Sequence, residues 1–158
     1  MYSELKKLTP DLYAKLEPYF TYLENCGFYM KHSNKPDKTD RENLYDFFNC
    51  WHYKIMNDYE EQVVDLASYT FEPKIEIYIY KIKKAKKEDK GYKNVPIAYR
   101  KIKEELPYYL DCPRKKDKYD SVIVDNIKDF KKQINKFLKT VKNFRNKVKL
   151  HAVEKDFT

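Results

Sequence analysis

Along most of this chain the apolar positions recur at steps of three and four, the spacing of one face of a helix. Leu12, Leu16, Phe20 and Leu23 make the first such run. Thr9-Pro10-Asp11 precedes it as a start signal, in which Thr9 offers a cap, Pro10 fits the first turn and Asp11 suits the positive end of the helix dipole. Pro18 is expected to kink or restart this helix, and Gly27 to end it. A polar loop is expected over residues 32–40. Beyond it, Leu44, Phe47, Phe48, Trp51, Ile55, Tyr59, Val63 and Leu66 fall on one face of a long helix over 40–68, capped by Thr39 or Asp40.

The segment FEPKIEIYIYKIKKAKK reads two ways. Ile75, Ile77 and Ile79 alternate as in a strand, while Ile75, Ile79 and Ile82 fit a helix. Its β-branched and aromatic content favours the strand, but SVIV at 121–124 is its one evident pairing partner, and a lone two-stranded pair is marginal. The reading therefore leans to helix, with short strands near 74–82 and 121–124 as the alternative. EDKGYKNVP is read as a loop, Pro96 as the start of a short helix closed by Pro107, and residues 106–120 as a charged, proline-punctuated connection. After that comes the most regular run in the chain. Ile127, Phe130, Ile134, Phe137, Val141, Phe144 and Val148 alternate steps of three and four, a heptad seam, and His151 takes the next seam position. The opposite face is almost solid lysine: Lys128, Lys131, Lys132, Lys136, Lys139, Lys142, Lys147 and Lys149. The pattern as a whole predicts an all-α fold, a single-domain helical bundle over 1–158 with a long C-terminal helix.

Composition reinforces that expectation. The chain has 158 residues, enough for one packed domain, and 16% of them are aromatic, 16 being tyrosine. It has 2 glycines, and because glycine supplies the positive-φ positions of tight hairpins, so few argue against a sheet and against phosphate-cradling glycine loops. Cys26, Cys50 and Cys112 are odd in number and widely spaced, which excludes a disulfide framework and a structural zinc site. No cofactor or metal is expected. No apolar run approaches the length of a membrane span and the N-terminus lacks a signal-peptide core, so a cytoplasmic protein without a membrane partner is expected. The net charge of +8 favours an anionic partner, of which nucleic acid is the common one.

Arginine is scarce here, with four in the chain against 3 histidines and abundant lysine, which makes FRNKVKLH at 144–151 conspicuous. This string resembles the short Arg-Asn…His motif of HEPN domains. The resemblance implies a helical bundle, usually homodimeric, acting as a metal-independent endoribonuclease of defence or toxin systems. It assigns His151, Arg145 and Asn146 as catalytic. His151 would exchange a proton with the 2′-hydroxyl or the leaving oxygen, a task suited to imidazole near neutral pH. Arg145 would hold the phosphate with a planar, permanent charge, and Asn146 would hydrogen-bond the phosphate or orient the histidine. Lys142, Lys147 and Lys149 would contact the nucleic-acid backbone.

Three other readings stand beside it. His151 and Arg145 are equally compatible with a seam residue near a helix end and a surface charge. A non-catalytic protein, such as an inhibitor from a phage or mobile element, could dock on a nuclease or a nucleoprotein complex through the basic helical surface. A plain helical module whose aromatic surface binds protein is the third, and an antitoxin or a host protein is among the partners considered. Tyr78, Tyr80, Tyr92, Tyr108 and Tyr109 are candidate stacking platforms or core residues, His32 and His52 read as packed or solvated, and Glu60-Glu61 and Glu104-Glu105 diverge on a helix and make no acid/base pair.

Overall fold

The computed structural model describes residues 2–38, 45–57, 59–68, 72–84 and 108–156. In chain order these form helices α1 (Tyr2–Leu8) and α2 (Pro10–Asn25), then strands β1 (Tyr29–Ser33), β2 (Asp37–Lys38), β3 (Tyr45–Met56), β4 (Tyr59–Ser68) and β5 (Pro73–Tyr78). There follow β6 (Lys81–Lys84), β7 (Tyr108–Asp111), β8 (Arg114–Lys115), β9 (Lys118–Tyr119), β10 (Ser121–Val124) and helix α3 (Ile127–Asp156). The chain is mixed α/β. The expected all-α helical bundle is overturned, because residues 45–68 form two strands instead of a long helix, and residues 73–78 form a third. The helix expected from Pro96, the loop EDKGYKNVP and the cap at Thr39 or Asp40 lie outside the described residues.

The misreading of 45–68 has a simple cause. Phe47, Trp51, Ile55, Tyr59 and Val63 are spaced by four, a step that keeps residues on one helix face and, being even, on one strand face as well. Burial largely follows the strand period: Phe47, Asn49, Trp51 and Ile55 are buried and Tyr53 half-buried, although Cys50 in the alternate register is buried as well. Asn49 is the polar residue that breaks the helical reading. The aromatic density of YDFFNCWHYKIM suits a pleated surface.

By contact density the chain divides into two compact units, the first of Met1–Tyr53, Gln62–Tyr78 and Ser121–Gln133, the second of Lys54–Glu61, Ile79–Asp120 and Ile134–Thr158. The main sheet, largely in the first unit, runs β1-β3-β4-β5-β10, with β2 beside β3. β5 pairs antiparallel with both β4 and β10, so Leu66 and Val124 flank Ile75 while Val64 and Val122 flank Ile77. SVIV does pair with the isoleucine strand, and β4 on the other side supplies the partner that the sequence did not reveal. Helix α2 buries Leu12, Leu16, Tyr19, Phe20 and Leu23. Phe20 stacks on Trp51 of β3 at 5.8 Å, and Tyr19 meets the ring of Phe130 edge-on at 4.9 Å.

Thr9 caps differently from expectation. Its hydroxyl and its amide both donate to the Leu5 carbonyl, at 2.8 and 2.9 Å, closing α1, while its own carbonyl accepts the first bond of α2 from the Tyr13 amide at 2.9 Å. Pro18 does not break α2, because it sits on the exposed face, where the carbonyl one turn earlier can bond to water. Gly27 ends the helix as expected, with φ 90°. Its amide donates to Glu24 at 3.0 Å and that of Phe28 to Leu23 at 2.9 Å, the paired bonds of a left-handed helix stop.

In the second unit β6 pairs with β7 and β8 with β9, all antiparallel, so the described part of the connection expected over 106–120 carries three short strands between 108 and 119. Ile55, Tyr59, Tyr109, Leu110, Ile134, Phe137, Val141 and Phe144 are buried here. The β8–β9 loop explains how a sheet forms with few glycines. Lys116 takes φ 58° at the first loop position, the sign that a type II′ turn needs there and that glycine usually supplies.

Candidate functional site

Helix α3 presents the longest chemically uniform surface. Its seam forms as the spacing predicts, with Phe130, Ile134, Phe137, Val141 and Phe144 all buried. In the second unit Phe137 meets Tyr80 edge-on at 5.7 Å and Phe144 meets Tyr59 at 6.2 Å. Burying one face fixes which residues face water. Lys136, Lys139, Lys142, Lys147 and Lys149 are all exposed, and no acidic residue lies between Ile134 and Val153. Among the described residues none of these five lysines is in an ion pair. Lys147 lies 5.4 Å over the ring of Tyr108. From Lys136 to Lys149 the helix advances about 20 Å, the length of a few nucleotides of backbone.

The three expected catalytic residues are not brought together within the subunit. Arg145 points its guanidinium at β3, where Nε donates to the Ile55 carbonyl at 2.9 Å and Nη2 to the Lys54 carbonyl at 3.0 Å. This accounts for an arginine in a lysine-rich chain, since the planar fork reaches two carbonyls at once and an ammonium does not. α3 remains a regular helix to Asp156, so the six-residue step sets His151 about 120° around the axis and about 9 Å along it from Arg145. Asn146 is exposed and His151 half-buried. Among the described residues no group of three or more His, Cys, Asp or Glu side chains could hold a metal ion.

Sequence reasoning passed over a half-buried acid with one fully enclosed oxygen. Glu61, on β4, has Oε1 enclosed without a hydrogen-bond partner among the described residues, while Oε2 accepts from the Tyr80 hydroxyl at 3.3 Å. Burial pushes its carboxyl up to about 7; hydrogen bonds from Tyr59 and Tyr80 oppose the rise, and the charges of Asp111 and Glu60 add to it. Tyr59 also bonds both the amide and the carbonyl of Leu110 at 3.1 Å. Nearby, burial raises the Cys112 thiol to about 12, so it is no nucleophile at neutral pH. The Tyr80 hydroxyl is raised too, first by burial and then by the Glu61 charge. The signal for Glu61 was the alternation Tyr59, Glu61, Val63, which places an acid in line with core residues once the segment is a strand.

A second polar cluster lies in the first unit. Both ring nitrogens of His52 are enclosed without a hydrogen-bond partner among the described residues. Its ring stacks on Tyr29 at 6.1 Å and meets His32 at 6.2 Å. Burial lowers its pKa to about 4, helped by the charges of Lys31 and His32 and opposed by Asp65, so it is neutral at pH 7. Asp65 is occupied by the Tyr78 hydroxyl at 2.6 Å and by the Gln62 amide. Burial and the charge of Asp65 raise Cys50 to about 12. An inert thiol, a neutral unpaired imidazole and a saturated carboxylate do not make a nucleophile with its base.

Of the tyrosines read as candidate platforms, Tyr78 and Tyr80 thus serve carboxylates, Tyr109 is buried, Tyr108 lies under Lys147, and Tyr92 is outside the described residues. A cleft of about 340 Å³ in the first unit is lined by Leu5, Met30, Phe47 and Asn49, with Lys35 and Glu4 paired at 3.5 Å. The Asn49 carboxamide there is engaged by Trp51 and Met30, and the Lys35–Glu4 pair is an exposed ion pair at its rim. Among the described residues no helix is long and apolar enough to cross a membrane. No protein-family model matches the chain, and no curated protein and no solved structure matches it.

Proposed function

We propose that this protein is a non-catalytic binder of nucleic acid that uses the outer face of α3. The observation that carries the reading is the run from Ile134 to Val153, in which exposed Lys136, Lys139, Lys142, Lys147 and Lys149 meet no acidic residue and no ion-pair partner among the described residues. Basic surface helices usually intersperse glutamate at the fourth position for helix stability, and here the chain forgoes that gain over five turns. A line of fixed positive charge on a rigid rod matches a phosphate backbone, with affinity coming from counterion release. The net charge of +8 adds long-range attraction. All three cysteines are free thiols, which fits a cytoplasmic setting where such a partner is available.

The ribonuclease implied by the resemblance has less to stand on. Arg145 already serves two backbone carbonyls, and the fold is not the helical bundle of that family.

The test is fluorescence anisotropy with labelled RNA and DNA against salt, comparing the wild type with a Lys139→Glu/Lys142→Glu variant. The wild type binds at low salt with affinity falling steeply as salt rises, and the variant loses at least about tenfold with a shallower salt slope. Absence of binding by the wild type at low salt refutes the reading. RNA cutting in EDTA, lost in His151→Ala, would replace it with the ribonuclease.

A further inference from the structure

The β8–β9 hairpin carries a feature that the lysine helix lacks. Tyr119 leaves 51% of its surface in water, one of five large hydrophobic residues among the described ones that are this exposed. An exposed tyrosine ordinarily samples several orientations, but this one is held. Directly across the ladder, the Arg114 guanidinium carbon lies 4.7 Å from its ring centroid, and Arg114 Nη2 donates to the Tyr119 hydroxyl at 3.1 Å. A ring fixed outside the core adds little to folding. With the Arg114 guanidinium against it and half of its surface in water, the ring can meet a flat partner without losing further orientational entropy. Around it the six residues RKKDKY hold four cations and the single acid Asp117. Lys115 pairs with Asp120 at 3.5 Å, while Lys116 and Lys118 are exposed and, among the described residues, outside any ion pair.

We propose that this hairpin is a stacking platform for an unpaired base of single-stranded nucleic acid, Tyr119 offering its ring and Arg114, Lys116 and Lys118 the charge that meets the flanking phosphates. A base inside a duplex has both faces covered and cannot reach the ring, so the platform selects single strands. The positive surround argues against a cationic or apolar partner for the same ring. The inference rests on the nucleic-acid reading given above and adds to it a choice of strand state, with the helix supplying the affinity that is blind to that choice.

The experiment measures binding of labelled 20-nucleotide oligouridylate and of an RNA duplex of equal length to the wild type, Tyr119→Ala and Tyr119→Phe at one low salt concentration. The wild type favours the single strand. Tyr119→Ala weakens single-strand binding by about tenfold and leaves duplex binding unchanged, and Tyr119→Phe, which keeps the ring and its contact with the Arg114 guanidinium but loses the hydroxyl bond, loses less than Tyr119→Ala does. If the wild type binds both oligonucleotides and Tyr119→Ala binds the single strand equally well, the platform is refuted while the helix reading stands. If the wild type binds neither, both fall.

Discussion

Replacing Glu61 by glutamine is expected to make this protein progressively more stable, relative to the wild type, as pH rises from 4.5 to 8. In the folded chain the Glu61 carboxyl titrates near 7, against 4.5 for an unhindered glutamate. Between those values the unfolded state binds fewer protons than the folded one, so the stability contributed by the protonated form is complete below about 4.5, falls as pH rises, and is gone above about 7. The displacement is worth about 3 kcal/mol at about 1.4 kcal/mol per pH unit. Burial dominates it, and the enclosed Oε1 without a partner shows why ionisation is unfavourable there.

Glutamine keeps the shape of the acid and never ionises. Any fixed difference between amide and acid in their bonds to Tyr59 and Tyr80 is the same at every pH and cancels when the gap is compared across pH. The variant therefore gains about 3 kcal/mol on the wild type between pH 4.5 and 8, or about 6–12 °C in Tm for a chain of this length. Thermal unfolding followed by far-ultraviolet circular dichroism at half-unit pH steps reads it directly. Wild-type and variant Tm curves that run parallel from pH 5 to pH 8 would refute the placement of this carboxyl in a buried site.

Two further outcomes follow from the second unit. Arg145→Ala removes both bonds to the Lys54 and Ile55 carbonyls and lowers stability by about 1–2 kcal/mol, and Arg145→Lys recovers less than half of it because an ammonium cannot span the two acceptors; urea unfolding gives both values. Lys116→Gly relieves the left-handed backbone at φ 58° and raises stability by about 1 kcal/mol, measurable as a rise in the urea midpoint, and a fall instead would place the loop in another conformation.

How much of this could be read from the sequence turns on whether the apolar steps are odd or even. α3 was legible because its seam includes steps of three, from Ile127 to Phe130, Ile134 to Phe137 and Val141 to Phe144. An odd step moves a residue to the opposite side of a strand, so only a helix keeps all of them together. Phe47, Trp51, Ile55, Tyr59 and Val63 advance by four, which both structures satisfy, but the helical reading also took in Leu44, Phe48 and Leu66 at odd steps, and the residues midway between the four-spaced set, Asn49, Tyr53 and Glu61 among them, are what distinguish a strand. Glycine scarcity misled for a related reason: it bears on turns only if no other residue will take positive φ, and Lys116 does. The lysine face was legible because it is the complement of the seam. The Arg114–Tyr119 pair was not, since it depends on a cross-strand neighbour that no local spacing encodes, and Glu61 became legible only once 59–63 is read as a strand. Arg145 lies between these cases. Its rarity marked it as a residue with a specific geometric task, but two backbone carbonyls and one phosphate make the same demand on a guanidinium, and only the fold distinguishes them.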